Sequence, residues 1–181
     1  MKRRTFFLAA ALTAALFTPA SAQDAGADAE AAAYFGSGHA HYKNGDWDRA
    51  IADYTEALRL KPGYALAYLY RGYAYTDKGD WDRAIADYTG ALSLKPDYVE
   101  AYLYRAGAYA NKKDLDKAIA DCTQVLVMVP DFVTVYLYRA RLYAEKKDYA
   151  RVRSDLEQVL QIAPDFINVR ERLEALKEQG Y

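Results

Sequence analysis

Pro62, Pro96, Pro130 and Pro164 follow one another at intervals of 34 residues. The sequence between them keeps the same step. GDWDRAIADYT stands at 45–55 and again at 79–89, AYLYR at 67–71 and 101–105, and VYLYRA at 135–140. Self-similarity at a fixed period of this length dictates stacked units, because one short unit cannot bury its apolar face alone. Four units result, 31–64, 65–98, 99–132 and 133–166, and 167–181 begins a fifth.

Each unit reads as two helices. In the second unit Tyr68, Arg71, Gly72 and Tyr75 recur at spacings of three and four, so they share a helical face. Gly79 ends that helix, since glycine readily takes the left-handed conformation past a helix end. Asp80 is suited to cap the next helix. Ala84, Ile85, Tyr88, Ala91 and Leu92 form its apolar stripe, and Lys95-Pro96 ends it. Asp97 is expected to cap the first helix of unit three, with Glu100 completing a capping box. Small residues recur at two places, Gly38, Gly72, Ala106 and Ala140 in first helices and Ala50, Ala84 and Ala118 in second helices. They let helices approach closely, with Tyr54 and Tyr88 filling the space beside them.

These residues resemble the tetratricopeptide repeat family across essentially all of 31–166. The family's signature runs large residue, Leu, Gly, Tyr, then Ala, aromatic, Ala and Pro. Unit two meets it with Tyr68, Gly72, Tyr75, Ala84, Tyr88, Ala91 and Pro96. Departures are local. Arg71, Arg105 and Arg139 stand where leucine is common, and unit one has Ser37 there and His41 for the tyrosine. Unit four has Val152, Leu156 and Val159 for Ala, aromatic and Ala. The resemblance implies an all-α fold, a right-handed α-solenoid of four helix-turn-helix repeats. Residues 167–181 are read as a capping helix that turns Ile167, Leu173 and Leu176 to the last repeat. Residues 23–30 read as a short polar leader.

The resemblance also implies a concave groove lined by first-helix residues. Here these are Leu69 and Tyr70, Leu103 and Tyr104, Leu137 and Tyr138. Tyr73, Gly107 and Arg141 follow one turn on, then Asp77, Asn111 and Glu145. Of these, Leu69, Tyr70, Tyr73, Leu103, Tyr104, Leu137, Tyr138 and Arg141 form the expected protein-binding set. Tyrosine joins a large rigid contact area to a polar tip, which suits peptide recognition. Members of the family that clamp a C-terminal carboxylate use Lys, Asn and Arg at several of these places, where this chain has Leu and Tyr.

The N-terminus carries a different signal. Lys2, Arg3 and Arg4 precede an uncharged, alanine-rich apolar run from Phe6 to Phe17, and Ala20-Ser21-Ala22 follows. This is the anatomy of a cleaved secretory signal over residues 1–22, too short in its apolar run for the roughly 20 residues of a membrane span. Arg3-Arg4-Thr5-Phe6-Phe7 also resembles a twin-arginine signal, so both export routes stay open. Cleavage after Ala22 would leave a periplasmic protein with no stable membrane insertion.

Charge and chemistry narrow the function. The chain has 24 basic and 25 acidic residues, and the signal removes three basic ones, which leaves 21 against 25 and a net charge of −4. No basic block remains, and nucleic-acid binding rests on clustered Lys and Arg. No phosphate-binding loop, dinucleotide fingerprint, paired-histidine zinc motif or nucleophile elbow is present, so no catalytic, metal or cofactor residues are assigned. His39 and His41 point to different helix faces. Cys122 aligns with Tyr54 and Tyr88 on a buried stripe and reads as a small hydrophobe. Asp46, Asp48, Asp80, Asp82, Asp114 and Asp116 sit at the starts of second helices, where carboxylates cap. Arg71, Arg105 and Arg139 recur in step with the second-helix series Asp53, Asp87, Asp121 and Asp155, which predicts a ladder of partly buried ion pairs. The expected function is a non-enzymatic envelope adaptor that holds a peptide or helical segment of a partner protein. The alternative is a self-assembling structural protein, a homo-oligomer of repeats.

Overall fold

The structure, a computed structural model, describes residues 22–180. All but the last residue of the expected signal therefore lies outside the described residues. Those residues form nine helices and no strand: α1 (Ala22–Lys43), α2 (Trp47–Leu60), α3 (Ala65–Asp77), α4 (Trp81–Leu94), α5 (Val99–Asn111), α6 (Leu115–Met128), α7 (Val133–Glu145), α8 (Tyr149–Ile162) and α9 (Ile167–Glu178). Each packs on its neighbours in sequence, and α1 also touches α3 and α3 touches α5. Odd helices thus share one side of the stack. Four helical hairpins and a terminal helix make an α-solenoid, as the period requires.

The sequence sets the helix ends. Asp46, Asp80, Asp114 and Asp148 cap the second helices, each accepting a backbone N–H from the residue three further on. The second carboxylate at these starts works between repeats. Lys78, Lys112 and Lys146 reach back to Asp48, Asp82 and Asp116.

The first helices behave otherwise. The N-cap of α5 is Tyr98, not Asp97, and no side chain caps it. Tyr64, Phe132 and Phe166 hold the same place in α3, α7 and α9, also without a side-chain cap. Tyr64, Tyr98 and Phe132 instead pack against core clusters, and Lys95 lies over the Tyr98 ring at 4.5 Å. Burial of an aromatic ring outweighs a capping hydrogen bond of about 1 kcal/mol.

The leader is also different from the expectation. Residues 23–30 are helical and continuous with the first helix, which makes α1 22 residues long against 13 for α3, α5 and α7. Its alanines are strong helix formers, so nothing stops the helix. Ala31 is fully buried, and Asp28 pairs with Lys61 at 3.0 Å.

Small residues face large ones across each hairpin. A Cβ built on Gly72 would lie 2.5 Å from Tyr88 Cε1, and one on Gly38 2.8 Å from Tyr54 Cε1. Both tyrosines are wholly buried. In the last two hairpins Cys122 and Leu156 take the tyrosine position, and Ala106 and Ala140 take the glycine position. Val169, Leu173 and Leu176 of α9 close the last hairpin. Ile167, expected to pack there, is 68% exposed, whereas Val99 and Val133 at the same place in α5 and α7 are half-buried, because no second helix follows α9 among the described residues.

Candidate functional site

The Arg–Asp ladder is present and internal to the scaffold. Arg71 Nε and Nη2 donate to Asp87 Oδ2 and Oδ1 at 2.8 and 2.7 Å. Arg105 repeats this on Asp121 at 2.8 and 2.7 Å, and Arg139 on Asp155 at 3.0 and 2.7 Å. The third nitrogen, Nη1, donates to Thr55, Thr89 or Thr123 of the preceding repeat at 3.0, 3.0 and 2.9 Å. Each guanidinium therefore ties two repeats together, and each also lies over a tyrosine, Tyr68, Tyr102 or Tyr136, at 5.7, 5.5 and 5.6 Å. All three aspartates are buried. These arginines are committed inside the stack and are not offered to a partner.

Cys122 is fully buried, and burial, the largest influence on it, pushes its thiol up to about 12. It is an inert core residue at neutral pH. His39 is stacked on Phe35, with ring centroids 6.3 Å apart, while His41 Nε2 lies 3.8 Å from Asp53. The two histidines serve different neighbours, and no acidic, histidine or cysteine group of three suited to a metal occurs among the described residues.

The expected groove residues divide into three classes. Leu69 is only 2% exposed and packs in the cluster of Tyr88, Ala91 and Ala101, so it does not line an open groove. Tyr70 is half-buried within a ring cluster, 5.4 Å from Phe35, 5.0 Å from His39 and 5.3 Å from Tyr73. Tyr73 is half-buried and continues that cluster to Tyr104, at a centroid separation of 4.2 Å. Burial is the main reason its phenol is raised above the ordinary tyrosine value. Leu103, Leu137 and Tyr138 are half-buried, whereas Tyr104 is 46% exposed and Arg141 is exposed.

These open residues surround a notch. Gly107 follows Tyr104 by three positions on α5, and a Cβ built on it would meet nothing within 4 Å. Its counterparts in the flanking repeats are Tyr73 and Arg141, so the lining drops to a bare backbone between two long side chains. Next to it a cleft of about 230 Å³ is lined by Ala110, Asn111, Lys113, Tyr138, Arg141 and Glu145. Arg141 lies over the Tyr138 ring at 4.9 Å, and Lys113 pairs with Glu145 at 3.5 Å. The structure thus brings Tyr138 and Arg141 together with the polar edge of Asn111 and Glu145. Gly107 is the feature whose role as a gap the sequence alone did not convey.

A sequence model of the family "Tetratricopeptide repeat" matches residues 35–98 and 72–131, and a second matches 133–166. No curated protein sequence matches significantly. Among solved structures, that of MamA superposes with a TM-score of 0.74 at 21% identity, over 82% of this chain and 81% of that one. The Arabidopsis OM64 TPR domain gives 0.62 at 28% identity, over 66% of this chain and 98% of that domain. The second TPR of Spaghetti (RPAP3), bound to the HSP90 peptide SRMEEVD, gives 0.56 at 27%, over 58% and 96%. The fold is that of a protein–protein interaction scaffold, and the chain belongs to the tetratricopeptide repeat family.

Proposed function

We propose that this protein is a non-enzymatic adaptor that holds an extended or helical segment of a partner protein along α5 and α7. The observation that carries the reading is the exposed Tyr104 beside the open notch at Gly107, with Tyr138 and Arg141 across it. A tyrosine ring supplies contact area at low entropic cost, and an indented surface lets a ligand side chain reach the backbone. The Spaghetti repeat, whose structure holds a peptide, supports a peptide as the ligand class. Its peptide carries three acidic residues, and Arg141 and Lys113 give this cleft two cations, though Glu145 offsets one of them. Tyr73 packs on Tyr104, and Tyr70 on Tyr73, at ring-centroid separations of 4.2 and 5.3 Å.

The test is capture of the native partner from an envelope extract, followed by binding titration. Gly107→Leu should fill the notch and weaken capture at least as much as Tyr104→Ala, with helicity unchanged. Truncating one such hot spot costs about 2 kcal/mol or more of binding. Undiminished capture by a Gly107→Leu/Tyr104→Ala double variant would remove the groove as the site.

The proposal includes export, with cleavage between Ala22 and Gln23, which would leave α1 at the start of a periplasmic chain. N-terminal sequencing of the secreted protein tests it, and retention of Met1 would overturn it. Among the described residues no helix is long and apolar enough to cross a membrane.

One observation favours the second reading, self-assembly. Tyr98 and Val99, and Phe132 and Val133, are half-buried between repeats, but the equivalent Phe166 and Ile167 are 41% and 68% exposed. End-on association would cover them. Light scattering separates the two readings: an open series of growing species favours assembly, and a monomer or small closed oligomer favours the adaptor.

A further inference from the structure

The ladder has three rungs among four repeats. In unit one the arginine position holds Ser37, yet the other parts of the rung remain. Asp53 stands where Asp87, Asp121 and Asp155 stand, and Tyr34 where Tyr68, Tyr102 and Tyr136 lie under their guanidinium groups. The oxygen that takes the Nε–H in every filled rung is Oδ2. In unit one Asp53 Oδ2 is shut away from solvent with no hydrogen-bond partner. His41 Nε2, at 3.8 Å, is too far to serve it. A buried acceptor left without a donor is destabilising, so it marks a place where a donor is wanted.

The short Ser37 side chain also leaves a space. A cleft of about 350 Å³ is lined by Glu30, Ala33, Tyr34, Ser37 and Asp53. Asp53 as a whole keeps 22% of its side chain exposed. Glu30 adds a second carboxylate at the position that Tyr64, Tyr98 and Phe132 fill elsewhere. A planar ring, a carboxylate on the scaffold and a second carboxylate at the rim match a planar cation that donates from several N–H groups at once. An ammonium ion offers a single point charge and no plane to stack.

We infer that this cleft at the N-terminal end of the stack binds a guanidinium group, that of an arginine side chain presented by a second polypeptide, which completes the missing first rung from outside. The guanidinium lies on the Tyr34 ring and donates to the Asp53 carboxylate, whose side chain opens to the cleft, as Arg71, Arg105 and Arg139 donate to theirs within the chain. Glu30 accepts from the outer nitrogen, in place of the threonine that the preceding repeat supplies at the other rungs.

The test is a nitrogen-15 amide NMR titration of the purified protein with N-acetyl-arginine amide, with N-acetyl-lysine amide as the control. Saturable shifts at Tyr34, Ser37 and Asp53 are expected with the arginine probe and at least about tenfold weaker binding with the lysine probe. Ser37→Arg, which supplies the rung from within, should abolish the response and raise the melting temperature. Asp53→Asn leaves the space but removes the charge, and should weaken binding about tenfold or more. No saturable shift, an equal response to lysine, or binding that survives Ser37→Arg would overturn the inference. Sedimentation identifies the donor: self-association lost in Ser37→Arg assigns the arginine to a second copy, and a monomer at all concentrations assigns it to a different protein.

Discussion

The two halves of the stack reach one architecture by different packing. In the first two hairpins glycine faces tyrosine, Gly38 against Tyr54 and Gly72 against Tyr88. In the last two alanine stands opposite cysteine or leucine, at Ala106 and Cys122 and at Ala140 and Leu156. The volume lost on one helix is restored on the other, sixteen positions on. The consequences spread. The N-terminal half holds a chain of ring contacts from Phe35 through Tyr70 and Tyr73 to Tyr104. The C-terminal half holds one apolar cluster running from Ala106 to Leu176. Large amphipathic rings bring polar tips into the core. Tyr88 finds a partner, Thr76, at 2.8 Å, but Tyr54 OH does not. The three buried side-chain atoms without a hydrogen-bond partner among the described residues, on His39, Asp53 and Tyr54, all lie in unit one. In the aliphatic half the buried carboxylates Asp121 and Asp155 are paired, and no such orphaned atom occurs among the described residues.

The ladder is what both halves share, so it sets the largest expected effect. Arg71→Met and Arg139→Met each leave a buried aspartate without its cation, and each should cost about 3–5 kcal/mol. Urea unfolding measures both. Equal losses would show that the halves differ in packing alone. A much smaller loss for one would break the comparison, since that aspartate must then find another partner.

Packing comes next. Gly72→Ala puts a methyl group 2.5 Å from Tyr88 Cε1, and should cost about 1–3 kcal/mol. Adding Tyr88→Leu converts that hairpin to the pairing seen at Ala140 and Leu156, and should recover part of the loss. A double variant less stable than the sum of its singles would show that the tyrosine is held by more than volume.

Alkaline pH should separate the halves next. Burial, the largest cause in each case, raises the phenols of Tyr54, Tyr73 and Tyr88 above their ordinary value. The folded state keeps these protons after the unfolded chain has released them. Stability is therefore fully present below the unfolded tyrosine value of about 10 and falls as pH rises above it. The loss for each group is about 1.4 kcal/mol per pH unit until its folded value is reached. In the aliphatic half burial raises Tyr138 and Cys122 in the same way, and the loss from Cys122 begins near pH 8.5 and ends at about 12. Tyrosinate absorbance should rise together with loss of helicity. Full ionisation while the protein stays folded would mean that the rings are not enclosed.

The sequence carried the period, the hairpins and the ladder, because each recurs in step and needs no distant partner to be read. Its legibility ended where equivalent positions meet different neighbours. Leu69, Leu103 and Leu137 have the same place in AYLYR or VYLYR, but Leu69 is sealed beneath Tyr88 and Ala101 while the other two are half-buried. Tyr70 and Tyr104 likewise share a position, and only Tyr104 is open. Asp97 reads as a cap because Glu100 three residues on completes a capping box, but the half-buried ring of Tyr98 sets the start one residue later. The Gly107 notch was hidden by being an absence: its meaning rests on Tyr73 and Arg141 in the repeats beside it.

The smallest expected effect lies at the turns, where the halves also differ. Gly45 and Gly79 sit at φ 75°, and the equivalent Lys113 and Lys147 at 64° and 59°. A non-glycine residue in this left-handed region carries a cost of about 1–2 kcal/mol. Glycine removes that strain but gives the unfolded chain more freedom, which offsets about 0.4–1 kcal/mol. Lys147→Gly should therefore gain about 0.5–1 kcal/mol. Lys113→Gly should gain less, because Lys113 also pairs with Glu145 at 3.5 Å, an exposed pair worth about 0–1 kcal/mol. The reverse changes, Gly45→Lys and Gly79→Lys, should lose what the forward ones gain. Thermal melts of the four single variants give the ordering. If Lys147→Gly destabilises the protein while Gly79→Lys leaves it unchanged, the turns do not limit stability, and the halves differ only in what fills the space between their helices.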